Sequence, residues 1–417
     1  MLERILLNTI VALAIITASK YTLYLLSSIY YGFQKKKHLK KINGFSKEYI
    51  ENMQKISVII PAWNEVVSIL DCVKSLLKST YTNLEIIIVN DGSTDDTDKV
   101  VNEFLINEFP RYNSTATIIN VKKTNGGKGS ALNAGIKGSS GDLIVTMDAD
   151  TMFEKDALFE VAKYFKKGDI DAAVGNVKIA NSKSLLGIIQ QIEYTVGFYF
   201  KRTHSIFNSE YIIGGAFGVF RKSVFEKYGY FDEVIITEDI EYSTRLQAMG
   251  CKIIFLEDAI AYTEGPVTLD GLMKQRLRWK KGRLDTFLKH KHLFFSSKKE
   301  HSKFLTYYLL PITVFYELEL LFEPIFTIFG FYYVITSGNL KPVIIWILFT
   351  GFIYIYTFLF GSKKNSRVAL IFTPLYFFLS YILTFVEIYA MYTSIKMLFK
   401  KQNVVWQTWE RRGFGNV

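Results

Sequence analysis

Leu143-Ile144-Val145-Thr146-Met147-Asp148-Ala149-Asp150 decides how the centre of this 417-residue chain is read. A strand exposed on one face would alternate, so five residues with hardly a polar side chain predict a strand buried on both faces. The run stops on two carboxylates. A second run, Glu85-Ile86-Ile87-Ile88-Val89, ends the same way in Asn90-Asp91-Gly92. Between about Lys55 and Leu256 such runs alternate with amphipathic stretches. The pattern predicts strands over 56–61, 84–90, 118–121, 143–147 and 172–177, and helices over 67–78, 94–107, 128–137 and 155–166. Alternation of this kind predicts an α/β domain on a mostly parallel, Rossmann-like sheet, with ligands bound beyond the carboxyl ends of the strands.

Working outward, 49% apolar and 16% aromatic residues are too many for two soluble domains. Residues 6–31 form one long apolar stretch, and nearly all of 305–399 belongs to three more, each close to the length a spanning helix needs. The first is too long for a signal peptide and lacks a small-residue cleavage site, so it reads as a retained anchor. Lys35, Lys36, Lys37, Lys40 and Lys41 follow it directly, which marks the cytoplasmic side and makes the central domain cytosolic. Three spans after that domain would put the tail outside, against the preference of Lys400, Lys401, Arg411 and Arg412. Glu317, Glu319 and Glu323, with Pro311 and Pro324, suggest that an interface helix precedes a span.

The net charge of +11 lies beside the apolar spans and near Arg276, which points to anionic lipid headgroups and away from nucleic acid. Cys72 and Cys251 stand alone, so neither a zinc site nor a disulfide framework is expected. In a cytosolic loop the Asn113-Ser114-Thr115 sequon would stay unmodified.

The chemistry-bearing residues gather after the strands. Asp148 and Asp150 are oxygen donors suited to Mg2+ or Mn2+, which would neutralise a departing diphosphate; the plain alternative is a helix cap and a solvated acid. Pro61-Ala62-Trp63-Asn64-Glu65 follows the first strand, and Asp91 after the second could accept hydrogen bonds from a base or ribose, unless its turn only caps a helix. Asn125-Gly126-Gly127-Lys128-Gly129-Ser130 is a glycine-rich turn whose amides and lysine could receive phosphate oxygens, though it is no Walker A loop. Thr237-Glu238-Asp239 opens a helix, where acids are also expected from the helix dipole, and one of them could be a general base. On the helix containing Gln275-Arg276-Leu277-Arg278-Trp279, positions 275, 278 and 279 share a face that offers phosphate donors and a stacking ring. Arg276, Lys280 and Arg283 point elsewhere, toward headgroups, and an ordinary amphipathic helix is the plain alternative.

Together, and in this order, these motifs resemble the processive family-2 glycosyltransferases, the group that includes synthases of cellulose, chitin, hyaluronan and poly-N-acetylglucosamine. The resemblance implies a GT-A fold and an inverting, metal-dependent hexosyltransferase in the cell membrane. Carried over by position, it implies donor contacts at Glu65, Asp91, Lys128 and Asp148, metal ligation by Asp150 with Asp148, and Asp239 as the base. It implies acceptor or diphosphate contacts at Gly215, Glu238, Gln275, Arg278 and Trp279, with Gly214-Gly215-Ala216-Phe217 lining the acceptor channel. Gly187 to Tyr194, Ile236 to Ile240 and a short tail containing Trp406 and Trp409 are most similar to the poly-N-acetylglucosamine synthases. UDP-N-acetylglucosamine is then the expected donor, a polysaccharide the acceptor, and membrane lipids and a small accessory membrane protein are candidate partners. Acids within apolar spans are costly and usually line a polar cavity, so Glu317, Glu319 and Glu323 are expected to face a polymer channel. Expected boundaries are 1–33 for the anchor, 50–265 for the catalytic domain, 266–300 for the interface segment, 301–399 for about three spans and 400–417 for the basic tail. Other readings are transfer of one sugar to a lipid-linked acceptor, a chitin- or hyaluronan-type synthase, and a transporter or sensor that only binds.

Overall fold

The computed structural model describes residues 2–42, 49–50, 54–112, 114–166, 169–181, 184–361, 367–404 and 413. Asn113, Trp406, Trp409, Arg411 and Arg412 lie outside the described residues. Eight strands form one sheet: β1 Ile56–Ala62, β2 Leu84–Asp91, β3 Thr117–Lys123, β4 Leu143–Thr146, β5 Thr151–Phe153, β6 Ala172–Ile179, β7 Gly218–Arg221 and β8 Ile253–Thr263. They run in the order β3-β2-β1-β4-β7-β6-β8-β5. The pairings β1–β2, β1–β4, β2–β3 and β6–β8 are parallel, while β4–β7, β6–β7 and β5–β8 are antiparallel. The parallel half agrees with the sequence pattern, since every residue of β2 and β4 is buried.

The connecting helices cover the sheet on both faces: α1 Leu2–Ile42, α2 Ile69–Leu77, α3 Thr97–Asn107, α4 Lys128–Gly138, α5 Ala157–Phe165, α6 Leu185–Ile206, α7 Lys222–Tyr228, α8 Glu238–Ala248 and α9 Leu269–Lys289. One core cluster packs α2, α3 and α5 against one face, around Ile60, Cys72, Leu76, Phe104 and Val161. A second packs α4, α7 and α8 against the other, around Ile59, Leu132, Phe225 and Tyr242. Removing such apolar area from water, at about 25 cal/mol per Å2, stabilises this mixed sheet.

After α9 come α10 Leu310–Glu319, α11 Glu323–Ser337, α12 Lys341–Phe360, α13 Arg367–Phe372 and α14 Tyr376–Phe399. Three helices, Arg4–Lys41, Lys341–Phe360 and Phe378–Phe399, are long and apolar enough to cross a membrane; α10 and α11 form a further pair bent by 65°. At 1.5 Å per residue the 41 residues of α1 extend about 60 Å, twice the hydrocarbon thickness. Its C-terminal half is accordingly docked on the α/β domain. Ser28 Oγ lies 2.7 Å from the Tyr199 hydroxyl on α6, Tyr31 donates to the Phe255 carbonyl at 2.9 Å, and Lys35 pairs with Glu257 at 2.9 Å and Asp258 at 2.6 Å.

Candidate active site

The ends of β1 and β2 are cross-linked before any ligand is considered. Asn64, in the left-handed region at φ 57°, accepts the Thr94 amide at 2.8 Å through Oδ1, and its own amide donates to Ser93 Oγ at 3.0 Å. The Glu65 amide donates to Thr97 Oγ1 at 2.9 Å, and its carboxylate accepts Ser68 Oγ at 3.0 Å. Asp91, at the end of β2, accepts the Gly126 amide at 3.0 Å, the Gly127 amide at 2.8 Å and Lys123 Nζ at 2.5 Å. The glycine-rich turn is thus not an open cradle. Two of its amides are turned onto the Asp91 carboxylate, which corrects the expectation that they stand free for phosphate oxygens.

Lys128, the first residue of α4, points away from that turn and into an acidic cluster. Its Nζ lies 2.6 Å from Asp148 Oδ1 and 3.4 Å from Glu238 Oε1. Burial works against the ammonium, but Asp148, Glu238 and Asp239 outweigh it and raise the Lys128 pKa, so the cation persists. Glu238 is buried, and burial pushes its carboxyl up to about 7, with Lys128 pulling it down and Asp239 pushing it further up. Asp239, in the first turn of α8, is oriented by backbone donors: the Gly215 amide reaches Oδ2 at 3.0 Å and the Ile240 amide reaches Oδ1 at 2.9 Å. A Cβ at Gly215 would lie 2.4 Å from Lys128 Nζ, so a side chain there would displace the ammonium from its place beside Asp148. The structure therefore brings together Lys128, Asp148, Gly215, Glu238 and Asp239, from four separate segments.

Asp150 is buried in the turn just before β5, with Oδ1 3.3 Å from Thr263 Oγ1 and 3.4 Å from Thr151 Oγ1. Asp148 and Asp150 supply only oxygen donors. No group of three His, Cys, Asp or Glu side chains that could hold a metal occurs among the described residues. A hard divalent cation that keeps its waters and takes substrate phosphates needs only one or two carboxylates, so this pair fits such an ion as a shared rather than an all-protein site.

Helix α9 borders the cluster. Gly282 is pressed so closely onto Thr237, the residue before α8, that a Cβ would lie 2.1 Å from Thr237 Oγ1. Gln275 is buried and its Oε1 accepts no hydrogen bond within the described residues, while Arg278 and Trp279 are half-buried. The expected headgroup-facing side of this helix is overturned. Arg276 is buried, holds both oxygens of Glu193 at 2.8 and 2.6 Å, reaches Glu387 at 3.4 Å and lies 4.5 Å from the Trp279 ring centroid. Lys280 pairs with Glu317 at 2.5 Å and Glu387 at 2.8 Å, and Arg283 with Glu317 at 2.6 Å. Three cations meet three carboxylates from α6, α10 and α14, leaving none of the three for lipid. Glu317 is likewise committed to this network. Glu193 and Glu387 are the residues that motif reading missed; a lone acid within an otherwise apolar helix, as Glu387 is, was the available signal.

Residues 57–229 match the family model described as glycosyl transferase family 2. Over 386 residues the chain is 32% identical to a poly-beta-1,6-N-acetyl-D-glucosamine synthase of Staphylococcus epidermidis, covering 92% of this chain and 84% of that protein. It is 33% identical over 279 residues to a protein of the same description from Staphylococcus aureus strain COL, covering 66% and 65%. Among solved structures it is similar to a mannosyltransferase of Pyrobaculum calidifontis in complex with GDP-Man and Mn2+, with a TM-score of 0.56 and 18% identity over 96% of this chain and 100% of that one, a likeness of fold.

Proposed function

The chain belongs to glycosyl transferase family 2, and on that premise we propose that it is a membrane-embedded, inverting synthase that moves N-acetylglucosamine from UDP-N-acetylglucosamine onto a growing polysaccharide. The identity to poly-beta-1,6-N-acetyl-D-glucosamine synthases over most of both chains supports the donor and the product class. One observation carries the catalytic reading: Asp239, oriented by the Gly215 amide, stands in the same cluster as Lys128 and Asp148 at the carboxyl edge of the sheet. An acceptor hydroxyl beside Asp239 would lose its proton to that carboxylate as its oxygen attacks the anomeric carbon. The bond from that carbon to the diphosphate breaks on the opposite face, UDP leaves, and the configuration inverts.

Glu65 and Asp91 would wall the nucleoside pocket, Asp91 by pinning the Gly126–Gly127 turn. Lys128 and Arg278 would meet diphosphate oxygens, and Trp279 would offer a ring to the acceptor sugar. Gln275, with its orphaned buried oxygen, and Glu238 would complete the acceptor side. Asp148 and Asp150 would hold Mg2+ or Mn2+, which when bound supplies positive charge to the leaving diphosphate. The catalytic domain would face the cytosol, where the donor is made.

The full-length chain, purified in detergent with Mg2+ or Mn2+ and offered a panel of UDP-sugars, tests this through UDP release and polymer length. UDP-N-acetylglucosamine alone should yield long polymer, and Asp239→Asn none. A product of one added sugar supports transfer to a lipid-linked acceptor instead, and donor binding without turnover supports a sensor.

A further inference from the structure

By composition alone Phe378–Phe399 qualifies as a membrane span. Its packing contradicts that use. Along its length α14 lies beside α9: Leu383 and Val386 share a core cluster with Leu272, Glu387 pairs with Arg276 and Lys280, and Met391 lines a small cavity with Leu284 and Phe287. Helix α9 cannot enter hydrocarbon. It carries Arg276, Arg278, Lys280, Lys281 and Arg283 within two turns, is pressed on Thr237 through Gly282, and ends with Lys289 paired to Asp232 and Glu241 on the catalytic domain. A partner that stays beside α9 from Leu272 to Phe287 must keep to the same plane.

Both ends of the segment agree. The last carbonyl of α12, that of Phe360, accepts from Arg202 on α6 at 2.9 Å, so α12 finishes at the catalytic domain; α13 then packs on α6. Beyond α14, the Gly413 amide donates to Glu264 at 3.3 Å, and Gly413 lies against Val67. The chain is therefore at the catalytic domain before α14 and again after it. The outer face of α14 presents Phe378, Ile382, Phe385, Tyr389 and Tyr392, at i, i+4, i+7, i+11 and i+14, as one exposed stripe. Opposite it, the buried face carries Glu387 to the cations of α9.

We propose that α14 is an in-plane interface helix whose aromatic stripe rests on the lipid surface of the leaflet facing the catalytic domain, and that the chain crosses the bilayer through α1, the bent α10–α11 pair and α12. The C-terminal tail is then on the same side as the catalytic domain, whichever side that is. This arrangement also places Lys400 and Lys401 with the lysines that follow α1, removing the charge conflict that three C-terminal spans create.

Single cysteines at Val234→Cys in the catalytic domain, Ser337→Cys at the end of α11 and Gln402→Cys after α14, in active full-length protein in membranes, test the topology with an impermeant maleimide; both native cysteines are buried. Labelling of Gln402→Cys from the face that labels Val234→Cys, with Ser337→Cys reached only from the other, is the expected result. Labelling of Gln402→Cys with Ser337→Cys, or of all three from one face, overturns it. Nitroxide labels at positions 378, 385 and 392 should sit at one depth, whereas a span perpendicular to the bilayer would separate 378 from 392 by about 21 Å. That separation would also overturn the proposal.

Discussion

Arg276 holds Glu193 with two guanidinium nitrogens, at 2.8 and 2.6 Å, across 83 residues of sequence. The pair fixes α9 to α6, and through Glu387 to α14. Removing one partner of a buried ion pair costs about 3–5 kcal/mol, since the other charge is left desolvated. Arg276→Met should therefore lose about 3 kcal/mol. Glu193→Gln should lose less, because the Glu193 side chain keeps 30% exposure and Arg276 retains Glu387. Denaturation in detergent should rank native above Glu193→Gln above Arg276→Met, and a native-like Arg276→Met would mean that the network is not coupled to stability.

Lys128 bridges Asp148 and Glu238, so its removal acts on the acids as well as on the donor. Lys128→Met should raise the donor KM and lower turnover by roughly 100-fold, the scale for losing one preorganised charge at a site of developing negative charge. Lys128→Arg should recover part of this, because the charge persists while the bulk crowds Gly215. UDP release against donor concentration reads both effects; a loss confined to polymer length would place Lys128 on the acceptor side.

Much of this site was legible in the sequence because buried parallel strands have no polar face. Continuous apolar runs located β1, β2 and β4, and the residues after them fell at the carboxyl edge by geometry. The antiparallel half left weaker marks. Gly218–Arg221 is four residues long, and Thr151–Phe153 begins directly after Asp150, inside what reads as one turn. The direction of the α9 cations was not legible at all. A helical pattern shows that Arg276, Lys280 and Arg283 leave the face of Gln275, but their partners stand on α6, α10 and α14, at separations no periodicity encodes. For Asp91 the acceptor chemistry was legible, while its capture of the Gly126 and Gly127 amides depends on how two loops meet.

Glu238 makes stability depend on pH. Its carboxyl is raised from 4.5 to about 7 by burial, opposed by Lys128 and reinforced by Asp239. Between those values the folded chain binds more protons than the unfolded one, so this contribution is fully present below pH 4.5 and is lost as pH rises through 7. Its size is on the order of 3 kcal/mol. Glu238→Gln cannot ionise and should flatten that slope. Melting of the two proteins between pH 5 and 8 without added metal checks this; parallel curves would show that Glu238 does not titrate in this window.

Gly282 and Thr237 set the distance between α9 and the start of α8. A Cβ at 282 would lie 2.1, 2.5 and 2.8 Å from three atoms of the Thr237 side chain, all close to its backbone, so no flexible end can swing away. Gly282→Ala should push α9 outward, carrying Gln275, Arg278 and Trp279 away from Asp239, which follows Thr237 by two residues. Displacements near 1 Å at a reacting site cost on the order of 100-fold in rate. Nucleoside binding, assigned above to Glu65 and Asp91 at the ends of β1 and β2, should largely survive, weakened only by the displacement of Arg278 from the diphosphate. Equilibrium binding of UDP together with the transfer rate separates the two, and Thr237→Ser in the Gly282→Ala background, by removing the γ-methyl, should restore part of the transfer. Equal loss of binding and transfer, without rescue, would mean that α9 supports the whole domain rather than the acceptor side alone.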